Sequence, residues 1–291
     1  VHYGRQEEIK FGKHFRFTIT TNAVLLDEDK MAFINEHFDN IVLSMDGRKA
    51  VNDKIRKTLN GKGSYDLIIP KMKQAVESRQ DKSYFIRGTF TGENLDFAKD
   101  LEHMRDLGFT KLSMEPVVTE PGNPLEIKAS DLDTVKKEYE NLYYLYKESM
   151  VDNKEFNFFH FEMELENGPC IYKRISGCGA GNEYVAVTPE GHIYPCHQFV
   201  GETDFILGDL ESGIQHKDIQ DLFYKSNVME KEDCSQCWAK YFCSGGCHAN
   251  AYNFNKDFLK PYKIGCEMEK KRIECAIRLK SERIDRNDYQ D

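Results

Sequence analysis

The 291-residue sequence lacks several features that mark common classes of protein. It has no excess of basic residues, since 40 Lys and Arg stand against 49 Asp and Glu, which gives a net charge of −9. A protein that tracks a nucleic-acid backbone needs a basic face that releases counterions, so this composition argues against that class. No run of about eighteen apolar residues occurs, and the sequence therefore predicts no transmembrane helix.

The N-terminal stretch VHYGRQEEIKFGKHF lacks the apolar segment and the small-residue cleavage site of a secretory signal, so we expect a cytoplasmic protein. The sequence also lacks an initial methionine, which is typical of a processed product or of a piece of a longer chain. A reducing cytosol disfavours disulfides, and nine cysteines cannot all pair with one another. Metal ligands and buried apolar thiols remain as explanations for the cysteines.

The first part of the chain, from residue 15 to about 118, alternates short β-rich runs with helical patterns. The runs at 15–20, 40–47, 83–91 and 110–118 predict four strands, and the pattern at 94–109 predicts a helix. Strands separated by crossover helices indicate a parallel sheet of the α/β class. Four such units are too few to close an eight-stranded barrel, so we expect an open or incomplete sheet.

Ligands of parallel sheets bind beyond the carboxyl ends of the strands. Polar residues stand at those ends, and they include Asn22, Ser44, Asp46 and Arg87. From the pattern alone, loop solvation or helix capping is the simpler explanation for any single one of them.

The rest of the chain has a different character. A turn-rich segment at 120–127 is followed by a predicted amphipathic helix at 130–150, and after residue 165 glycines and cysteines become frequent until a charged helix at 267–286. We therefore divide the chain into 1–125, 126–165 and 166–291. The last region has too little regular structure to build an apolar core easily, so metal ligation would supply the missing stabilisation.

Four of the nine cysteines fall within CSQCWAKYFCSGGC (234–247), with the spacing Cys-x2-Cys-x5-Cys-x3-Cys. Thiolates suit zinc or iron–sulfur clusters, whereas hard cations prefer oxygen ligands. Within this stretch a zinc module with four cysteine ligands, an iron–sulfur site and inert thiols all stay open. The surrounding sequence adds Cys178, then twelve residues, Gly191, four residues and Cys196, with a distant Cys266.

This complete pattern resembles the SPASM domain of radical S-adenosylmethionine (SAM) enzymes. The stretches TNA, LSMDG and RGTFT are similar to the later part of the partial βα barrel of those enzymes. The stretch GPCIYKRISGCGAGNEYVAVTPEGHIYPCHQFVG resembles more narrowly the maturases of six-cysteine (SCIFF) peptides, which install Cys-to-Thr thioether links. The resemblance implies an α/β fold, in which an incomplete partial βα barrel precedes a small, irregular, cysteine-rich SPASM domain with two iron–sulfur clusters.

The resemblance also implies which residues hold each cofactor. Cys178, Cys196 and Cys247 would hold a first auxiliary [4Fe–4S] cluster, with Cys170 either as its fourth ligand or as a buried thiol. The ligands of the second auxiliary cluster would be Cys234, Cys237, Cys243 and Cys266. The SAM pocket would contain Asn22, Ser44, Asp46 and Arg87, and Arg87 would pair with the methionine carboxylate of SAM. No catalytic residue is assigned.

The sequence departs from the family in one large respect. The Cys-x3-Cys-x2-Cys loop that holds the SAM-cleaving cluster does not occur, and neither does the Gly-Gly-Glu motif that binds the methionine amine. In the family both motifs would precede residue 1. We therefore expect a fragment that is unable to start a radical reaction by itself.

The function implied by the resemblance is that of a radical SAM peptide maturase, an oxidoreductase that forms Cys-to-Thr thioether crosslinks in a ribosomally made, cysteine-rich precursor peptide. The complete enzyme would also bind SAM and a third [4Fe–4S] cluster, and would take electrons from a flavodoxin or ferredoxin. One alternative is an anaerobic sulfatase-maturase-like or other peptide-modifying SPASM oxidase. An alternative of another class is a non-enzymatic zinc-binding module. No nucleic-acid or membrane partner is expected.

Overall fold

The computed structural model describes residues 1–152, 154–163 and 174–287, and for Val151 and residues 283–287 it describes the backbone only. The chain divides into two compact units. Unit 1 comprises Val1–Val117 with Lys137–Glu162, and unit 2 comprises Val118–Lys136 with Met163–Asp291. The division of the sequence into 1–125, 126–165 and 166–291 stays a prediction.

Unit 1 is built on a five-stranded parallel sheet with the strand order β1-β2-β3-β4-β5. The strands are β1 (Thr18–Thr21), β2 (Asn40–Ser44), β3 (Ser83–Phe90), β4 (Lys111–Pro116) and β5 (Asn157–Phe158). The helices are α1 (His2–Phe11), α2 (Glu28–His37), α3 (Lys49–Ile55), α4 (Tyr65–Ser78), α5 (Phe97–Asp106) and α6 (Leu132–Val151). The α/β class, the parallel sheet and the four predicted strands are confirmed, and the two-residue strand β5 was not predicted.

The two faces of this sheet differ in burial because side chains alternate along each strand. In β3 the side chains of Tyr84, Ile86 and Phe90 are buried, whereas Arg87 is exposed. Helices cover the buried face, where the ring of Phe90 stacks on that of Phe97 in α5 with centroids 4.3 Å apart. The opposite face, which carries Arg87, is the more open one, and we call it the open face of the sheet.

Gly47, just after β2, occupies a position that only glycine fits. Its φ is +132°, and a Cβ there would lie 2.4 Å from the side chain of the fully buried Asp100. That carboxylate cannot move freely, because it accepts hydrogen bonds from the backbone N–H (2.9 Å) and Nε (2.7 Å) of Arg48.

We therefore expect Gly47→Ala to lower the free energy of unfolding by about 2 kcal/mol more than a matched control, because the added methyl group overpacks the buried carboxylate of Asp100. The control is Gly61→Ala, since Gly61 also has a positive φ (+78°), but a Cβ there would meet no atom within 4 Å apart from those of its chain neighbours. Urea titration of both variants measures the difference, and equal losses would contradict the steric explanation.

Unit 2 contains a four-stranded antiparallel sheet with the order β6-β7-β8-β9. Its strands are β6 (Ala186–Val187), β7 (His192–Tyr194), β8 (Gly208–Asp209) and β9 (Gly213–Ile214). Its helices are α7 (Lys217–Lys225), α8 (Glu232–Ser235), α9 (Lys240–Cys243), α10 (His248–Asn255) and α11 (Lys263–Asn287). In the described part of the chain, no helix combines the length and the apolar composition needed to cross a membrane.

Unit 2 has an apolar core, so the expectation that this region could not easily build one is wrong. Four phenylalanines from distant parts of the sequence form its centre, with ring centroids 4.7 to 6.2 Å apart: Phe199, Phe205, Phe223 and Phe258. Each large ring removes much apolar surface from water, so a few such residues suffice where regular structure is short. Cys196 is itself a member of this cluster.

Candidate functional site

Four cysteines of unit 2 line one cavity of about 410 Å³. Cys234 lies in α8 and Cys243 ends α9, while Cys237 lies in the turn between them and donates its backbone N–H to the Cys234 carbonyl at 3.0 Å. Cys266 reaches the same cavity from the first turn of α11. The structure thus brings together the four residues that the resemblance assigns to a second cluster, and we call them the second cysteine set.

The protein around this cavity favours neutral thiols in the absence of a cation. Burial, together with the nearby Glu269 carboxylate and Cys266 thiolate, raises the pKa of Cys243 to about 12. Burial also raises the pKa values of Cys234 and Cys266; the Cys237 thiolate adds to the effect at Cys234, and the Cys234 thiolate adds to it at Cys266. A bound metal centre reverses this preference, because its positive charge stabilises the deprotonated thiolates.

Cys178, Cys196 and Cys247 also lie close enough to influence one another electrostatically, and we call them the first cysteine set. Burial, with a smaller contribution from the thiolates of the other two, raises the pKa of Cys196 to about 11, although the backbone N–H of Gln198 opposes the shift. Burial likewise raises the pKa of Cys247, whereas two N–H groups in the first turn of α10 donate to its sulfur and lower it. Cys170, the suggested fourth ligand of this set, lies outside the described residues.

The ninth cysteine has a different environment. Cys275 is 5% exposed on α11. Its burial agrees with a structural role.

The four thiols of the second set are the donors that zinc or an iron–sulfur cluster uses, whereas hard cations prefer oxygen ligands. A tetrahedral zinc site requires all its sulfur ligands about 2.3 Å from one point. Among the described residues, no three Cys, His, Asp or Glu side chains are arranged to hold one metal ion. The four thiols line one cavity together with eleven other residues.

The strand topology brings three of the four residues assigned to the SAM pocket to one edge of the sheet in unit 1. Asn22 directly follows β1, and Ser44 is the last residue of β2. Arg87 lies opposite Ser44 in the register of β2 and β3. Because these strands are parallel, their carboxyl ends meet at the same edge, where ligands of such sheets bind.

Asp46, the fourth of these residues, is 2% exposed and already has partners. Its carboxylate accepts hydrogen bonds from Arg56 through Nε (2.7 Å) and Nη2 (2.8 Å). It also accepts the backbone N–H of Thr89 at 3.0 Å. Asp46 therefore ties the loop after β2 to β3, and a contact with SAM stays a prediction.

A polar network on the open face of the sheet was not predicted from the sequence. Arg87 Nη2 donates to Glu115 Oε2 at 2.6 Å, and the other carboxylate oxygen of Glu115 lies 3.8 Å from His160 Nε2. The same imidazole nitrogen lies 3.1 Å from the hydroxyl oxygen of Ser113. His160 directly follows β5 and Phe159, within the aromatic stretch FNFFHF, whose residues give no sign of a polar site.

No family model matches the sequence. The chain is similar to the cysteine-type anaerobic sulfatase-maturating enzyme of Clostridium novyi (strain NT), with 25% identity over 251 residues, which are 80% of this chain and 64% of that protein. It is also similar to the antilisterial bacteriocin subtilosin biosynthesis protein AlbA of Bacillus subtilis (strain 168), with 23% identity over 255 residues, which are 84% of this chain and 53% of AlbA. The chain thus spans less than two thirds of the length of these curated relatives.

Two kinds of solved structure resemble the chain. Native anSMEcpe with bound AdoMet and Kp18Cys peptide superposes with a TM-score of 0.72 and 20% identity, covering 95% of this chain and 77% of that one. Streptococcus suis SuiB bound to S-adenosylmethionine gives a TM-score of 0.57 and 20% identity, covering 85% and 59%. The chain has the fold of these proteins. The similarities support the broad resemblance to radical SAM proteins of the SPASM type, and the SCIFF subtype is left as a proposal.

Proposed function

We propose that this chain is part of a radical SAM enzyme that modifies a peptide or protein substrate, with an auxiliary [4Fe–4S] cluster at each cysteine set. The observation that carries the proposal is the grouping of seven separate cysteines into two sets, one of which surrounds a single cavity. The likeness to maturating enzymes of 25% identity or less supports the same class of reaction.

In this proposal the second set supplies four thiolates, and the first set supplies three, with Cys170 as its fourth ligand or with one iron left for another sulfur. When bound, such clusters supply one-electron redox chemistry and a site at which a substrate thiolate can be held. The chain's own contribution is to bury the ligands, as at Cys196 and Cys243, and to direct the N-terminal N–H groups of α10 at Cys247. The burial is uneven, since Cys196 and Cys234 are buried whereas Cys178 and Cys247 are exposed.

For the substrate we propose a cysteine-rich precursor peptide in which a cysteine sulfur becomes bonded to a threonine carbon. Each such thioether is a two-electron oxidation, so the peptide loses two hydrogens per link. The hydrogen on carbon would pass to the deoxyadenosyl radical formed from SAM, the thiol would release a proton, and the remaining electron would go to an auxiliary cluster. A second candidate, maturation of a sulfatase-type protein, is favoured by the relatives from Clostridium novyi and Clostridium perfringens. A flavodoxin or ferredoxin would supply electrons in both cases.

Anaerobic reconstitution of the chain with iron and sulfide tests the cluster proposal. We expect about eight irons and about eight sulfides per chain, with the broad visible absorption of thiolate-bound iron. A colourless protein that retains about two zinc ions instead would overturn the proposal and favour the zinc-binding alternative.

The complete gene product, supplied with SAM and a low-potential reductant, tests the substrate. Mass spectrometry of a cysteine-rich precursor peptide should show the loss of two hydrogens per crosslink. Modification of a sulfatase-derived cysteine peptide, with the precursor unchanged, would favour the second candidate.

Arg87 offers a test of the SAM pocket. We expect Arg87→Lys to weaken SAM binding by the complete protein about tenfold, because a lysine cannot make the two parallel hydrogen bonds that a guanidinium offers a carboxylate. Its stability should change by less than about 1 kcal/mol, since the ion pair between Arg87 and Glu115 is 46% and 38% exposed. Calorimetry measures the binding. The control is Arg105→Lys, because Arg105 lies in the last turn of α5 and not at the carboxyl ends of the strands. Unchanged SAM affinity would remove Arg87 from the pocket.

A further inference from the structure

Lys231, which directly precedes α8, carries a buried ammonium group. Its relative exposure is 0%, and its Nζ donates a hydrogen bond to the carbonyl oxygen of Gly245 at 2.9 Å. Within the described part of the chain, no Asp or Glu oxygen lies within the 4.0 Å of an ion pair with this ammonium group. An unpaired charge inside a protein costs several kcal/mol, so an anion is expected close to it.

The candidates for that anion are cysteines of both sets. Cys234, Cys243 and Cys266 of the second set act electrostatically on Lys231, and so does Cys247 of the first set. Burial lowers the pKa of Lys231, and these four thiolates oppose that effect. The cation therefore lies within reach of the charge at both centres.

The backbone holds Lys231 at this junction. Its carbonyl oxygen accepts the N–H of Cys234 at 2.9 Å, so the residue begins the turn that carries a ligand of the second set. Its ammonium binds the Gly245 carbonyl, which lies between Cys243 of the second set and Cys247 of the first. The loop that contains Gly245 lies close to the ammonium group, as shown by the distance of 3.6 Å between Nζ and a Cβ placed on Gly245 (φ +90°).

We propose that Lys231 is a shared positioning cation of the two cysteine centres, whose buried ammonium offsets the negative charge of the thiolate-bound group at each set and raises its reduction potential. This inference rests on the proposed function, because it requires a thiolate-bound cluster at each set. Such a cluster is an anion, and its one-electron reduction adds a further negative charge. A buried cation stabilises the reduced form more than the oxidised form, since the field is weakly screened inside the protein.

Three variants of the reconstituted chain test this role. Lys231→Met removes the charge and keeps an apolar side chain of similar length, and Lys231→Arg keeps the charge. Lys263→Met is the matched control, because Lys263 also acts on Cys234 and Cys266 but is 69% exposed and pairs with Asp233 at 2.5 Å. Iron and sulfide are assayed for each, and an anaerobic dithionite titration followed by electron paramagnetic resonance gives the reduction potentials.

For Lys231→Met with its full iron content, we expect the ratio of reduced to oxidised cluster at a fixed potential to fall about tenfold, which is about 59 mV for a one-electron couple. Lys263→Met should change this ratio less than about threefold, because solvent screens its charge. If Lys231→Met loses iron while Lys231→Arg retains it, the charge itself is required and the proposal also holds.

Two results would overturn the role of Lys231. One is a potential in Lys231→Met that matches the unmodified chain or the Lys263→Met control. The other is loss of iron in both Lys231 variants, since this would show that side-chain shape matters and charge does not. Failure of the proposed function looks different, because the unmodified chain would then hold no iron–sulfur cluster at all.

Discussion

Replacing Cys243 with alanine is expected to remove about half of the iron and sulfide from the reconstituted chain, about four of about eight atoms of each. Cys266→Ala should have the same effect, although 22 residues separate the two positions in the sequence, because both side chains line one cavity. Cys247→Ala should instead remove the half of the iron and sulfide that the first set holds. Cys178→Ala should have the same effect as Cys247→Ala, since both thiols act electrostatically on Cys196. Metal analysis and visible absorption after anaerobic reconstitution measure each loss.

This pattern separates the two-cluster arrangement from a zinc module made of the four cysteines at 234–247. In such a module Cys247 would act with Cys243, and Cys266 would be dispensable. The control is Cys275→Ala, which removes a buried thiol of α11 and should leave the iron content unchanged. Equal effects of Cys243→Ala and Cys247→Ala on a single metal ion, with none from Cys266→Ala, would contradict the proposed sets.

Asp46→Ala is expected to lower the free energy of unfolding by about 3 kcal/mol, because it leaves the guanidinium of Arg56 without its partner in a largely buried site. The Asp46 side chain is 3% exposed and that of Arg56 is 30% exposed, so solvent compensates little for the loss. The backbone N–H of Thr89 also loses its acceptor. Chemical denaturation with circular dichroism measures the change.

Glu115→Ala is the matched control for this prediction, since it also removes a carboxylate from an arginine of unit 1, but from an exposed ion pair. Its cost should stay below about 1 kcal/mol. If Asp46→Ala were equally mild and instead abolished SAM binding, the residue would belong to the pocket that the resemblance assigns to it.

Much of unit 1 could be predicted because its periodicities are clear. Phe97, Leu101 and Met104 recur at helical spacing on α5, and burial alternates along β3. The strand β5 escaped prediction because two residues are too few to show an alternation. Because β5 was not predicted, the position of His160 could not be predicted either, since the pairing of β5 with β4 places His160 near Ser113.

The candidate site was predicted unevenly for a related reason. The cysteine spacing resembles a known pattern, and this resemblance assigned the cysteines to two sets. The structure brings the described members of each set together. The ion pair between Asp46 and Arg56 could not be predicted from the sequence, since nothing in it distinguishes Arg56 from the nearby Lys54 and Lys57. Lys231 was equally hidden, because a lysine in a polar sequence context gives no indication of complete burial.

The aromatic cluster around Phe199 and Phe223 has a consequence for how the protein is made. Because apolar and aromatic side chains build this cluster, the polypeptide of unit 2 can bury apolar surface without a bound metal. Cys196, a member of that cluster, would then already be fixed in place when iron is delivered. In the proposed function, the clusters would then be inserted into a unit that has already folded.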